Sequence, residues 1–200
     1  MAVLELRYTD FIYLTEPELL YILEQRNSDY VRRYMEQDQA ISVQSHLQFC
    51  ARLKERPKLK YFYVTLNGQP FGVCDFKALD ADWNRAEGGY YTFGDQPFSM
   101  EKVNGFAIWW MMEHYGLASM CTKIKNTNRK ALLPLYLKPH PSLRIVGKDE
   151  QYTYTENNFV LETVRAENRH LMQQHQIRTF FNNELFVDGT PNGTQNPNQR

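Results

Sequence analysis

The N-terminal quarter of the chain carries one strand pattern followed by two helical patterns. Apolar and polar residues alternate from Val3 to Tyr8, which predicts an opening β-strand. Thr15 is placed to cap a helix that runs to about Gln25, because acidic residues follow it in the first turn. Ser42 predicts the start of a second helix, which ends before Pro57.

The period of the pattern then changes from helical to two. Leu59 to Leu66 is rich in aromatic and β-branched residues, and the Asn67-Gly68 pair after it is typical of a tight hairpin turn. Pro70 to Leu79 and Ala86 to Phe93 are predicted as the next two strands. This part of the chain therefore predicts an antiparallel meander of three strands.

A helix, a strand and a second helix are predicted after the meander. The first helix spans Phe106 to Tyr115, and the apolar run from Trp109 to Met112 indicates that it is buried on most sides. The strand covers Met120 to Ile124, and the second helical piece ends at Leu135-Tyr136.

The C-terminal part is predicted to hold short strands, one helix and a polar tail. Strands are expected at Leu143 to Val146, Gln151 to Thr155 and Phe159 to Val164, and a helix at Glu167 to Gln176. The last residues are rich in Gly, Pro, Asn and Gln, which is typical of a mobile segment. The predicted organisation is a main domain over 1–166, a C-terminal helical extension over 167–188 and a flexible tail over 189–200.

Composition and charge narrow the class of protein. The chain has 200 residues and is 42% hydrophobic, which is enough for a packed core without disulfides. Lys plus Arg equal Asp plus Glu at 23 each, whereas a nucleic-acid binder usually carries a basic excess. No apolar run has the length of a membrane span, and the first residues lack a signal-peptide core. We therefore expect a cytoplasmic protein that binds neither nucleic acid nor membranes.

The cysteines and histidines do not predict a metal site. Cys50, Cys74 and Cys121 are odd in number and show no C-x-x-C spacing, which favours buried thiols in a reducing compartment. The five histidines form no H-x-x-x-H or H-E-x-x-H pattern.

The segment from Glu87 to Tyr136 is predicted to bind an anion. Lys102 to Ala107 contains a glycine and leads into the first helix of the segment, so its backbone N–H groups and the helix dipole favour a phosphorylated ligand. A local basic cluster supports one small anionic ligand rather than a long polyanion; its members are Lys123, Lys125, Arg129 and Lys130.

The order of elements resembles the GNAT acyl-CoA N-acyltransferase fold. This resemblance implies an α+β, three-layer architecture with a central mixed, mostly antiparallel sheet flanked by helices. The cofactor signature of that family is Gln/Arg-x-x-Gly-x-Gly/Ala before the central helix. Lys102-x-x-Gly105-x-Ala107 is similar to it, with Lys in the first position.

The N-terminal half resembles one branch of that family more specifically. The motifs that carry the resemblance are Arg26-Asn27, Val31-Arg32-Arg33-Tyr34-Met35, Ile41-Ser42 and His46-Leu47-x-Phe49. They are similar to UDP-4-amino-4,6-dideoxy-N-acetyl-altrosamine N-acetyltransferases of the pseudaminic acid pathway, over roughly residues 1–137. The chain departs from the family pattern where Pro134 lies inside the last helix, Tyr136 comes one residue late, and Pro139-His140 replaces Gly-Phe.

The resemblance implies acetyl-CoA as the cofactor and a set of residues that hold it. The pyrophosphate is expected on the backbone N–H groups of Val103, Asn104, Gly105, Phe106 and Ala107, with Lys102 adding charge. The pantetheine arm is expected along Tyr91, Thr92 and Phe93, with a hydrogen bond from Asn128. The alternatives are a packing role for Gly105 and a helix-capping role for Asn128.

Acetyl transfer to an amine needs an acid, a base and an acceptor site. Tyr136 is the family-like acid, and Glu87 is the base candidate, with Asp75 as a second carboxylate. The plain alternatives are a half-buried aromatic for Tyr136, a solvated strand end for Glu87 and a salt-bridge residue for Asp75. The resemblance implies acceptor contacts for Arg26, His46, Lys77 and Tyr90. The alternatives are surface charges for Arg26 and Lys77 and a core-edge histidine for His46.

The sequence thus predicts an acetyl-CoA-dependent N-acetyltransferase that acts by direct attack in a ternary complex. The expected acceptor is a primary amine on a nucleotide-linked aminodeoxy sugar, such as a UDP-sugar. Two alternatives stay open: a GNAT enzyme for another amine (a protein N-terminus, an antibiotic or an amino acid), and a degenerate GNAT module that binds without catalysis. A homodimer is left open.

Overall fold

The strands form one continuous sheet in the computed structural model, which describes residues 3–137 and 140–188. Within those residues the strands are β1 (Leu4–Asp10), β2 (Leu59–Leu66), β3 (Gln69–Ala78), β4 (Arg85–Thr92), β5 (Ser119–Lys125), β6 (Leu143–Lys148), β7 (Tyr152–Asn158), β8 (Ile177–Phe181) and β9 (Glu184–Asp188). The helices are α1 (Glu16–Asn27), α2 (Asp29–Arg32), α3 (Val43–Ala51), α4 (Met100–Tyr115), α5 (Arg129–Leu137) and α6 (Leu161–His175).

The sheet is mixed and mostly antiparallel, as the sequence predicted. Its strand order is β6-β7-β5-β4-β3-β2-β1-β8-β9, and the pairs β4–β5 and β1–β8 are parallel. The predicted meander is confirmed as β2, β3 and β4. Asn67 and Gly68 both have positive φ, at 51° and 76°, which is the backbone of a type I′ hairpin.

Two helical layers cover the two faces of the sheet and enclose separate cores. One face packs against α4 and α6, and its core includes Leu6, Phe62, Cys74, Phe106 and Met111. The other face packs against α1 and α3, and its core includes Phe11, Ile22, Cys50, Tyr63, Val73 and Phe93. Because strand side chains alternate between faces, odd-numbered residues of β4 from Glu87 onward point towards α1 and α3.

The central helix begins earlier than predicted. α4 starts at Met100 after the extended residue Ser99, six residues before the expected start at Phe106. Met100, Val103 and Ala107 are all buried, so the apolar stripe already begins in the first turn. The prediction that Lys102 to Ala107 forms a turn was therefore wrong, because one glycine does not outweigh a continuous buried stripe.

The C-terminal part also differs from the prediction. α6 begins at Leu161, so the predicted strand from Phe159 to Val164 was wrong. The predicted boundary at 166/167 lies inside this helix. Residues 177–188 are not a helical extension but β8 and β9 of the main sheet, because β8 pairs in parallel with β1 and buries Ile177 and Phe181. The predicted tail, 189–200, and Pro139 lie outside the described residues.

Candidate active site

A gap opens between two neighbouring strands in the middle of the sheet. β4 and β5 are paired only at Arg85–Ser119, Ala86–Met120 and Glu87–Cys121. Beyond these pairs β4 stays bonded to β3 as far as Thr92, and β5 stays bonded to β7 as far as its last residue. The two strands therefore diverge, and each presents an unpaired edge to the other.

Alternate residues of β4 turn their backbone groups towards this gap. The carbonyl oxygen of Arg85 accepts from Leu79, and the N–H of Phe93 donates to Phe71, so these odd-numbered groups face β3. Because the direction alternates along a strand, the backbone groups of Gly88, Tyr90 and Thr92 face the gap. 

Of the predicted pantetheine contacts, only Thr92 turns its backbone groups this way. Tyr91 and Phe93 direct theirs to β3, so the expectation that they contribute backbone groups is corrected.

The N-terminus of α4 follows the gap-lining strand and offers three free backbone donors. The first intrahelical bond runs from the N–H of Val103 to Ser99 at 3.2 Å, so the N–H groups of Met100, Glu101 and Lys102 have no helical partner. Those of Val103, Asn104, Gly105, Phe106 and Ala107 belong to the helix. The predicted pyrophosphate contacts at 103–107 are therefore corrected, and the donors lie one turn earlier.

Gly105 contacts a neighbouring helix instead of an anion. A Cβ atom at this position would lie 3.1 Å from Oδ1 of Asn168 in α6, and Nδ2 of Asn168 approaches the carbonyl oxygen of Gly105 at 3.4 Å. The packing alternative for Gly105 thus describes the structure. The neighbouring Asn104 is 4% exposed, and its Oδ1 has no hydrogen-bond donor among the described residues.

Basic side chains near the open end of the gap are held by acids from other elements. Lys123 pairs with Glu36, and Lys125 pairs with Asp38 at 3.2 Å. Both acids belong to the connection between α2 and α3, which is thereby tied to β5. Lys130 approaches Asp95, in the connection between β4 and α4, at 3.4 Å.

The two predicted residues around α5 have different surroundings. Asn128 caps the helix, because its Oδ1 accepts from the N–H of Ala131 at 3.2 Å, as the capping alternative stated. Pro134 lies inside the helix, which continues to Leu137. Tyr136 is 54% exposed and makes no hydrogen bond with any described residue, so its hydroxyl is available to a ligand.

Two carboxylates share the face of the sheet that carries α1 and α3. Asp75 on β3 is paired in register with Gly89 on β4, and Glu87 is one diagonal step away. Neither carboxylate forms an ion pair within the described part of the chain. Burial, and secondarily the charge of Glu87, raises the pKa of Asp75 from an ordinary 3.8 to about 6.

The predicted acceptor residues do not all lie together. Arg26 at the end of α1 donates to the carbonyl oxygen of Gln37 at 2.9 Å. Its other terminal nitrogen, Nη1, is buried and has no hydrogen-bond partner within the described part of the chain. Burial lowers the pKa of Arg26, and the nearby Tyr91 opposes that effect. Lys77 is exposed and lies opposite Glu87, on the same sheet face as Asp75.

His46 and Tyr90 are separated from this group. His46 is 7% exposed, and its Nε2 donates to the carbonyl oxygen of Leu19 at 2.9 Å, so it joins α3 to α1 as a structural residue. Burial accordingly lowers the pKa of His46. Tyr90 points to the opposite face, where its side chain is 43% exposed. Neither residue supports the predicted acceptor contact in this arrangement.

Sequence reasoning missed Tyr61 beside the carboxylates, and it considered Tyr91 only for its backbone groups. Tyr61 on β2 is the register partner of Asp75, and Tyr91 presents its side chain to the same face. Burial and the nearby carboxylates raise the pKa of Tyr61, and burial raises that of Tyr91. Their alternation with core residues was a visible signal, since every second residue of β2 and β4 faces α1 and α3.

The described residues contain no cluster of three or more His, Cys, Asp or Glu that could hold a metal ion. In the same ranges, no helix is both long and apolar enough to cross a membrane.

Comparison with solved structures defines the fold. No protein-family model matches the sequence, and no curated protein matches it. The architecture is that of the GNAT N-acetyltransferases, as the sequence resemblance predicted.

Three solved structures illustrate the likeness. Campylobacter jejuni N-acetyltransferase PseH, in complex with acetyl coenzyme A, has a TM-score of 0.60 at 22% identity, over 78% of this chain and 99% of that chain. Spermidine N-acetyltransferase from Vibrio cholerae, in complex with CoA and spermine, has a TM-score of 0.63 at 14% identity. The match covers 78% of this chain and 95% of that chain. Aminoglycoside acetyltransferase AAC(6')-Ib, in complex with coenzyme A, has a TM-score of 0.59 at 12% identity. The match covers 83% of this chain and 99% of that chain.

Proposed function

We propose that this protein is an acetyl-CoA-dependent N-acetyltransferase that acetylates a primary amine by direct attack in a ternary complex. The observation that carries the proposal is the gap between β4 and β5. After Glu87 and Cys121 the two strands present unpaired edges, and the free N–H groups of α4 follow directly. An extended amide-containing ligand that ends in phosphates matches both features.

The residues around the gap fit this cofactor. Backbone groups of Tyr90 and Thr92 lie beyond the last β4–β5 pair and suit an extended arm, in the manner of an added strand. We assign to the arm also the buried Oδ1 of Asn104 in α4, which has no donor among the described residues and suits an amide N–H. The N–H groups of Met100 to Lys102 suit the pyrophosphate. Bound acetyl-CoA would supply the acetyl group as a thioester.

The chain itself would bind the acceptor, remove a proton and return one. Asp75 and Glu87 lie on the face of the sheet that carries α1 and α3, beside the narrow end of the gap. They suit an ammonium group and its deprotonation. Tyr136 is half-exposed and makes no hydrogen bond with any described residue, and a phenol group suits protonation of the departing thiolate.

For the acceptor we propose an amine on a nucleotide-linked aminodeoxy sugar. Arg26 supports this choice, because its unpartnered Nη1 is a buried donor suited to a phosphate oxygen. Lys77 adds a second cation on the same face. The N-terminal motifs and the likeness to PseH point in the same direction.

Calorimetric titration with acetyl-CoA and CoA tests the cofactor site. We expect micromolar binding, together with thiol release when an amine is present. The amine panel contains a UDP-linked 4-amino sugar, spermidine, ribostamycin and a peptide with a free N-terminus. Fastest thiol release with the UDP-sugar supports the full proposal. Faster release with another amine refutes the proposed acceptor and leaves the proposed acetyltransferase activity standing.

The titration and the thiol-release assay together separate catalysis from binding alone. Absence of CoA binding at millimolar concentration refutes the proposed function. Binding without thiol release for any amine, including acceptors added in excess, assigns the protein to the non-catalytic alternative.

A further inference from the structure

Asp75 lies over a glycine at the edge of the gap. Tyr61, Asp75 and Gly89 are register partners across β2, β3 and β4. A Cβ atom at Gly89 would lie 3.3 Å from Oδ1 of Asp75, so the missing side chain leaves room for the carboxylate above the β4 backbone. Gly89 comes two residues after Glu87, the last residue of β4 that pairs with β5. The carboxylate therefore lies where the gap begins.

Every element packed around Asp75 contributes identifiable charged or titratable groups. Glu87 and Tyr91 face it from β4, and Tyr61 faces it from β2. Lys77 is its neighbour on β3. More distant groups act on these tyrosines: Arg26 from α1, Cys50 from α3 and Arg56 before β2. Among the described residues none of these cations forms an ion pair with Asp75, which leaves both carboxylates available to a cation from outside.

We propose that Asp75 is the catalytic base, and that Asp75 and Glu87 together bind the acceptor's ammonium group. This inference rests on the proposed function. In the step, an N–H bond of the ammonium breaks and its electron pair stays on nitrogen. An O–H bond forms on Asp75, which afterwards releases the proton to water.

The two carboxylates have different roles: Asp75 accepts the proton, and Glu87 helps to bind the ammonium group. Burial makes Asp75 hold a proton more readily, and the neighbouring charge of Glu87 adds to this effect. The pKa of about 6 makes Asp75 a better proton acceptor than an ordinary aspartate and leaves it mostly ionised at neutral pH. Glu87 supplies the second negative charge that holds the ammonium group until Asp75 takes its proton.

A titration of the free protein tests the first half of the inference. In ¹³C NMR spectra of carboxyl-labelled protein, we expect one aspartate to titrate near pH 6. That signal should be absent in Asp75→Asn and should move to lower pH in Glu87→Gln, since the neighbouring charge is removed. If this aspartate signal persists in Asp75→Asn, or if its midpoint is unchanged in Glu87→Gln, the proposed interaction between Asp75 and Glu87 is overturned.

Kinetics test the second half, with the best acceptor of the amine panel. We expect Asp75→Asn to lower kcat by about 10²-fold or more and to remove the acidic limb of the pH–rate profile, because general-base catalysis is lost. The affinity for CoA and the KM for acetyl-CoA should not change. Glu87→Gln should mainly raise the KM for the amine. Asp82→Asn, an exposed aspartate outside the site, is the matched control.

The two proposals fail in different ways. If the wild-type protein binds no CoA, the proposed function fails, and the catalytic role of Asp75 falls with it. If CoA binds and thiol is released, but Asp75→Asn keeps the wild-type pH–rate profile, only the assignment of Asp75 is overturned.

Discussion

Replacing Asp75 by Asn should make the folded protein more stable at neutral and alkaline pH. The folded state raises the pKa of Asp75 from 3.8 to about 6, so ionising this carboxyl costs free energy in the folded state. The cost is absent below pH 3.8, grows as the pH rises towards 6, and is constant above about pH 7. An isosteric amide cannot ionise and therefore avoids it.

The size of the effect follows from the pKa difference. About two pKa units correspond to about 3 kcal/mol. Asp75 is partly exposed, so solvent screening reduces the expected gain to about 1–2 kcal/mol at pH 8. For a chain of this size, the gain corresponds to a rise in Tm of about 3–6 °C.

Urea unfolding between pH 4 and pH 8 measures this gain directly. The wild-type protein, Asp75→Asn and the control Asp82→Asn are compared at each pH. We expect the first variant to match the wild-type protein near pH 4 and to exceed it progressively up to pH 7, while the control follows the wild-type protein throughout. A difference that does not depend on pH, or a less stable Asp75→Asn at pH 8, would refute the assigned burial and charge environment.

Three further predictions concern packing and the cofactor gap. Phe181→Ala should lower the free energy of unfolding by about 3–5 kcal/mol in urea, because a buried ring is removed, whereas the half-exposed Leu185→Ala should cost under about 1 kcal/mol. Gly72→Ala should lower the free energy of unfolding by more than about 2 kcal/mol, because its Cβ would clash with the carbonyl oxygen of Tyr91 in β4. Gly147→Ala should be nearly neutral, because a Cβ there would make only ordinary contact with Tyr154. Asn104→Ala should leave stability within about 1 kcal/mol but weaken CoA binding about tenfold by calorimetry, because it removes an unpartnered acceptor; unchanged affinity would exclude Asn104 from the cofactor site.

The candidate site was only partly accessible to sequence reasoning. Glu87, Asp75 and Lys77 were recognised as chemically competent residues, and they do share one face of the sheet. The signature around Gly105 lies inside α4, whereas the N–H groups without a helical partner are one turn earlier, at Met100 to Lys102. His46 belongs to a convincing motif, yet its ring bonds to a helix carbonyl, because spacing alone does not reveal which way a side chain turns.

The sequence by itself determined the local structure of the first half of the chain. The alternation in β2 and β3, the turn at Asn67-Gly68, and the cap at Ser42, which accepts from the N–H of Ser45, depend on residues close together in the chain. Such patterns act through backbone dihedral angles and local hydrogen bonds. They can therefore be recognised without knowledge of the rest of the fold.

Only the tertiary structure decided where β4 and β5 part and which groups meet there. Pairing of β8 with β1 joins residues far apart in the chain, and the register of Asp75 with Gly89 places a carboxylate over a position without a side chain. These features depend on how strands and helices pack together, since the same local pattern is compatible with several registers. The gap that supports the proposed function is a property of that packing.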